Sequence, residues 1–236
     1  SEFVENKLNE FRIKNTLIRD LSRPTTFKIR YMVDNQKMFR VSRLKEHFIS
    51  EEIEEKLINE IRLKASKFNG IIISDFNYGV ITERVLNEVM FISQKYNLPT
   101  FADCQSSSQI GDISKFRNIN LLTATEREVR LSLNSKSQSL EIISNKIINR
   151  TKCQNFILKL GAEGFISYTK GNNERHHFPA LSVNPLDTSG AGDSMLALIS
   201  VGLSSGANFF EVCALSAFVS SSLIDILSSK AWSSKQ

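Results

Sequence analysis

The sequence predicts an α/β fold: a mainly parallel sheet with helices on both faces, accompanied by a small β-hairpin. Three observations carry this. Apolar runs of strand length recur at 70–75, 99–103, 118–123 and 155–160, short and continuous as in strands buried on both faces. Segments of helical period at 82–95 and 140–148 stand between such runs, and this alternation produces parallel sheets. Two pairs of alternating segments bracket turn residues, Asp34-Asn35 in one case and Gly171-Asn172-Asn173 in the other, which signals hairpins.

In chain order, 27–33 and 36–43 form the first hairpin. Ser50 then precedes Glu51, Glu52 and the series Ile53, Leu57, Ile61, the pattern of an N-capped amphipathic helix. Strand 70–75, helix 82–95, strands 99–103 and 118–123, helix 140–148 and strand 155–160 follow. After Gly161 the pattern changes: 165–169 and 175–178 make the second hairpin, and two helices, near 190–204 and 208–228, close the chain. Serine-rich stretches at 105–108 and 132–139 read as surface loops.

A chain of 236 residues with 41% hydrophobic and 23% charged residues has enough apolar surface for one sizeable core. The net charge of +5 suits an anionic ligand, but lysines and arginines are scattered among glutamates, which describes a solvated basic surface and not a nucleic-acid stripe. Cys104, Cys153 and Cys213 lie far apart without zinc-ligand spacing, so buried thiols in a reducing cytoplasm are expected. No signal peptide or membrane span is evident. The most apolar segment, 209–227, contains Glu211, Asp225 and a run of serines, as a buried helix does.

The strongest chemical signal is Asp187-Thr-Ser-Gly-Ala-Gly-Asp193, followed at once by an apolar run. It sets a turn of small residues at the start of a buried helix. The amides of Gly190, Ala191 and Gly192 can converge there on an anion, because small residues admit close approach and the helix N-terminus adds partial positive charge. Asp193 stands beside them as a base for an attacking hydroxyl. The alternative is a helix start whose glycines only allow tight packing. Ligands of open α/β sheets gather beyond the carboxyl ends of the strands, where Asp75, Asp103 and Glu128 are expected to emerge. There they serve Mg²⁺ or the hydroxyls of a ligand, or cap a loop or helix.

The seven-residue segment resembles the second signature of the ribokinase-like (PfkB) carbohydrate kinases, whose DTxGAGD forms an anion hole and ends in the catalytic base. Further segments resemble the heptose-7-phosphate kinase branch of that family, which feeds ADP-heptose synthesis. Arg23-Pro-Thr-Thr-Phe-Lys-Ile-Arg30 is similar to its RPTTxKxR, 35–40 to its NQQxxR, and Ser74-Asp75-Phe-Asn-Tyr-Gly79 to its SDYGKG turn. Leu122-Thr-Ala-Thr-Glu-Arg-Glu128 is similar to LTPNxxE, and 158–164 to the nucleotide-site loop.

The resemblance implies a three-layer ribokinase-like α/β/α fold over residues 1–236, with 23–43 as a lid or hairpin segment. It implies an ATP- and Mg²⁺-dependent phosphotransferase acting on a sugar or sugar phosphate. Asp193 would be the base and the Gly190, Ala191 and Gly192 amides the anion hole. Lys159, Gly161, Gly164, Asp187 and Thr188 would lie along the nucleotide. Lys28, Arg30, Arg40, Asp75 and Asp103 would face the acceptor, with a solvated hairpin face as the alternative for the three cations. Glu128, with Thr125 at the position of the motif's Asn, would attend the metal. A cytoplasmic location is implied, with no nucleic-acid or membrane partner, and either a homodimer or a fused or associated nucleotidyltransferase domain.

The departures are specific. Tyr78 stands where SDYGKG has its lysine, and Asp103-Cys-Gln-Ser106 replaces a DPKG element, so two cations of the sugar pocket are missing from their places. The acidic strand and GGxxxN element that open the family's fold do not occur before Arg23, and the chain begins Ser1-Glu2-Phe3 without Met. The fold is therefore expected to be partial at its N-terminus, with exposed sheet edge where further chain would pack. A kinase-like module that binds nucleotide or sugar without transfer is the second reading.

Overall fold

The computed structural model describes residues 2–33, 36–105, 111–172, 174–181 and 190–233. After α1 (Glu2–Glu10), β1 (Phe27–Val33) and β2 (Gln36–Arg43) form a separate antiparallel hairpin. The body follows as α2 (Glu51–Lys64), β3 (Ile71–Asp75), α3 (Glu83–Tyr96), β4 (Thr100–Cys104), β5 (Leu121–Thr125), α4 (Glu126–Leu133), α5 (Leu140–Thr151), β6 (Asn155–Lys159), β7 (Phe165–Thr169), β8 (Arg175–Phe178), α6 (Ala191–Ser204) and α7 (Phe209–Ser233). The strands lie side by side in chain order from β3 to β8. β3 to β6 run parallel, and β7 and β8 are antiparallel additions.

Period-two alternation sends successive residues of each buried strand to opposite cores. Ala102, Leu122, Ala124, Phe156 and Leu158 meet Val85, Val89, Val129, Ile143 and Ile147 on one face. On the other, Phe101, Leu121 and Ile157 meet Met195, Leu196 and Ile199 of α6 with Val212 and Cys213 of α7. Helices therefore cover both faces, as the uninterrupted apolar runs require. Each fully buried Leu, Ile or Phe contributes about 1.5–3 kcal/mol relative to exposure, so the two cores hold the strand ends firmly in place.

Caps account for the helix starts. The hydroxyls of Ser50, Thr82 and Ser139 accept from the backbone N–H three residues on, at Ile53, Val85 and Ile142. Several elements differ from expectation: α1 was assigned no helix, and α5 and α7 run on to Thr151 and Ser233. The strand expected at 118–123 begins at Leu121, because Asn118 turns into the left-handed region (φ 57°) and the Asn120 carboxamide accepts from Thr100 N–H. Residues 126–133, assigned no helix above, form α4 behind a Thr125–Glu128 capping box. Among the described residues β3 is an outer strand of the large sheet, and Ile72 on it is 46% exposed. None of the described helices is long and apolar enough to cross a membrane.

All three thiols are buried, and burial pushes the Cys104 and Cys213 thiols up to about 12. From the ordinary value of 9.0, that is about a thousandfold less thiolate at any working pH. The native protein should therefore show almost no reaction with a disulfide reagent at pH 8, and should titrate all three thiols in denaturant. Rapid reaction of any one in the native state would contradict the packing described here.

Candidate active site at the carboxyl edge of the sheet

The α6-facing half of the site is built on a buried ion pair. Asp103 near the end of β4 and Lys159 at the end of β6 both point to the α6 side, and Lys159 Nζ meets Asp103 Oδ1 at 2.5 Å. The Thr123 hydroxyl, between them on β5, donates to the same oxygen at 2.5 Å. Asp103 is almost wholly excluded from solvent, a position an ionised carboxylate holds only with such partners. Lys159 then runs under the first turn of α6: a Cβ placed on Gly192 would lie 3.6 Å from its Nζ.

Gly190 caps α6 in the left-handed conformation (φ 86°), where no side-chain cap bonds it, and the helix ladder begins with Ser194 N–H to Gly190 C=O. The amides of Ala191, Gly192 and Asp193 precede that first bond and have no intrahelical acceptor. Asp193 itself is exposed in the first turn, while Met195, Leu196 and Ile199 behind it anchor the helix in the core. Helix-terminal amides, a lysine ammonium and a carboxylate are thus assembled within one turn. Asp187 and Thr188 lie outside the described residues.

The opposite half belongs to the other face of the sheet. Asp75 pairs in register with Cys104, whereas Asp103 pairs with Ser74, so the two aspartates project to opposite sides. Asp75 Oδ1 accepts from Asn77 N–H at 2.9 Å, and Oδ2 is taken by the ammonium of Lys115. The Asn77 carboxamide bridges onward to Cys104 Sγ and Gln105 C=O at 3.0 and 3.1 Å. Burial is the main cause of the raised Cys104 thiol, and the Asp75 and Glu128 carboxylates add to it, so both acids stand close to that sulfur. Glu128 accepts from Thr125 N–H at 2.7 Å, and its own N–H donates to the Thr125 hydroxyl at 3.3 Å. These two expected metal-side residues thus also start α4. Among the described residues, no group of three or more His, Cys, Asp or Glu is placed to hold a metal ion.

The hairpin is two-faced. Register puts Lys28, Arg30, Arg40 and Ser42 on one side and Ile29, Tyr31, Phe39 and Val41 on the other. The cationic side turns toward the end of β3, where Lys28 Nζ sits 4.7 Å from the Phe76 ring centroid and 5.3 Å from that of Tyr78. The residue standing in place of a lysine in the turn therefore binds one. Arg23 fastens the base of the hairpin, donating at 2.7 Å to Tyr78 C=O, His47 C=O and Asp20. Gly79 is required there, since a Cβ would come within 2.2 Å of His47 C=O.

In the turn after β6, Gly161 (φ 65°) faces open space. Gly164 (φ 87°) instead backs onto the next strand, where a Cβ would lie 2.0 Å from Phe178 C=O. Of the expected residues, the fold brings together Asp103, Lys159, Gly192 and Asp193, and it sets Lys28 against the β3 turn. Asp75, Thr125 and Glu128 are already hydrogen-bonded partners within the scaffold. Lys115, Thr123 and Arg23 were assigned no role from sequence. Arg23 heads a quoted motif, while Lys115 and Thr123 carry no local signal at all. Two clefts lined by parts of residues 4–26 with α2 contain none of Asp103, Lys159 or Asp193, and the second reaches Arg23 and Val80 beside the β3 turn.

Comparison with known proteins bears on the family and the fold. The chain is 30% identical over 193 residues to the Bifunctional protein HldE of Trichlorobacter lovleyi, covering 80% of this chain and 38% of that protein. It is 29% identical over 199 residues to the protein of the same name from Geotalea uraniireducens, covering 83% and 39%. The chain thus spans about two fifths of the length of these relatives. Among solved structures, phosphofructokinase-2 of Escherichia coli superposes with a TM-score of 0.70 at 15% identity, over 93% of this chain and 71% of that one. Ribokinase of Thermotoga maritima superposes with 0.67 at 21%, over 93% and 69%. The fold is therefore ribokinase-like. A model of the pfkB family of carbohydrate kinases matches residues 1–225, and the chain belongs to that family.

Proposed function

We propose that the chain is an ATP-dependent sugar kinase that transfers the γ-phosphate to a hydroxyl of a sugar or sugar phosphate resembling heptose 7-phosphate. The observation that carries this is the first turn of α6, where exposed Asp193, amides outside the helix ladder and the Lys159 ammonium adjoin one another. In this reading Asp193 accepts the acceptor hydroxyl's proton as its oxygen bonds to the γ-phosphorus and the bond to the ADP oxygen breaks in line. The Gly190, Ala191 and Gly192 amides and Lys159 hold the charge on the transferred oxygens. The turn at Gly161 borders the nucleotide.

Magnesium suits the site only as a partner of the phosphates. Glu128, in the first turn of the α4 helix that follows β5, would be the carboxylate to attend such an ion. Bound there, the ion neutralises phosphate charge. Arg30 and Arg40 lie directly opposite each other in the hairpin, on the same side as Lys28, which gathers positive charge on that side. Lys28, Arg30 and Arg40 therefore serve the acceptor side, with the hairpin as its lid.

The test is phosphoryl transfer from Mg-ATP to a panel of sugars and sugar phosphates, led by heptose 7-phosphate. Turnover with a phosphorylated acceptor is the expected result. ATP binding without transfer to any acceptor would replace this reading with that of a nucleotide-binding module.

A further inference from the structure

We infer that Lys115 is the residue that recognises an anionic group on the acceptor, supplying from the connection between β4 and β5 the cation that Tyr78 and Gln105 do not. This rests on the kinase reading and names its acceptor class: a sugar that carries a phosphate.

Lys115 ends a short 3-10 turn that opens on the fully buried Ile113 and is followed by the fully buried Phe116, and the Asp112 side chain caps that turn through Ser114 N–H at 2.8 Å. The backbone is pinned on both sides, so the ammonium is delivered to one place. That place is the end of β3, against Asp75 Oδ2, with Asn77 Oδ1 at 3.3 Å. Both chain positions that lack the expected lysine border the same spot. Gln105 donates its N–H to Asp75 C=O at 2.8 Å and accepts from the Asn77 carboxamide, and Tyr78 follows Asn77 directly.

An ammonium has three donors. Asp75 and Asn77 take two, and the side chain is 28% exposed whereas that of Asp75 is 2% exposed. The carboxylate is therefore the buried support, and the lysine is the group a ligand can reach. Lys28, resting on Phe76 and Tyr78, flanks the same turn from the hairpin. Lys115 and Lys28 thus stand beside the same turn as the buried Asp75 carboxylate, and offer a phosphate two positive charges. A neutral sugar hydroxyl can accept from the third donor, but only an anionic group makes that hydrogen bond charge-assisted on both sides.

The test is calorimetric titration of the full chain, without ATP, by a hexose 6-phosphate and by the corresponding free hexose, for the parent, Lys115→Met and Lys115→Arg. Lys115→Met should weaken hexose phosphate binding about 10- to 100-fold, the loss of one charge-assisted hydrogen bond. It should leave free hexose binding unchanged, and Lys115→Arg should restore most of the loss. Because Lys115→Met leaves Asp75 buried without its partner, Lys115→Met with Asp75→Asn is measured beside it. That pair removes both charges together and should lose the same preference. An unchanged ratio of the two affinities in both Met variants, or no preference for the phosphate in the parent, overturns the proposal. Failure of the kinase reading shows itself separately, as absence of transfer in the panel assay.

Discussion

Replacing Asp193 with Asn is expected to lower kcat for phosphoryl transfer by about 10²- to 10⁴-fold, the usual contribution of a positioned general base. The carboxamide keeps the size and most of the polarity of the side chain but takes no proton at neutral pH. Asp193 is exposed and the apolar anchors of α6 lie behind it, so the fold should barely change. The loss of a favourable charge at the helix N-terminus costs only about 0.3–1 kcal/mol. Nucleotide affinity should stay within a few-fold, because the amides and Lys159 are untouched. Steady-state turnover beside a nucleotide titration makes the check. Equal kcat for variant and parent would remove Asp193 from the chemistry.

Lys159→Met is expected to damage both the fold and the reaction. It strands Asp103, which is 2% exposed, with only the Thr123 hydroxyl as a partner. Breaking a buried pair from one side costs about 3–5 kcal/mol. For a domain of this size that lowers Tm by roughly 10 °C. Adding Asp103→Asn removes the orphaned charge, so the double variant should regain most of the lost stability, as measured by thermal unfolding. Turnover should not return with it, because the ammonium under the first turn of α6 is still absent. Recovery of both together would make Lys159 a structural residue only, and recovery of neither would mean that Asp103 has support beyond Lys159 and Thr123.

Much of the architecture was readable because it depends on neighbours in the chain. Serine and threonine caps start helices at 51, 83 and 140, and alternation of side chains marks both hairpins to the residue. The small-residue turn before 191 announces a helix that begins there. Its capping box also marks α4, although Thr125 and Glu128 drew attention first as a metal motif. The start of β5 was misjudged because what ends the preceding bend is a hydrogen bond from Thr100 to Asn120, across the sheet.

The sequence alone therefore determined the layered α/β plan and the place where α6 begins, since propensity, capping and periodicity act over a few residues. Tertiary structure alone decided which acids share a pocket. A register of one residue sends Asp75 and Asp103 to opposite faces, although both stand at strand ends. It also chose the partners: Lys115 reaches Asp75 across 40 residues, Lys159 reaches Asp103 across 56, and Lys28 crosses from the hairpin to Phe76. Such contacts are made by packing whole elements against one another, and the burial that creates them leaves no mark on the residues' immediate neighbours.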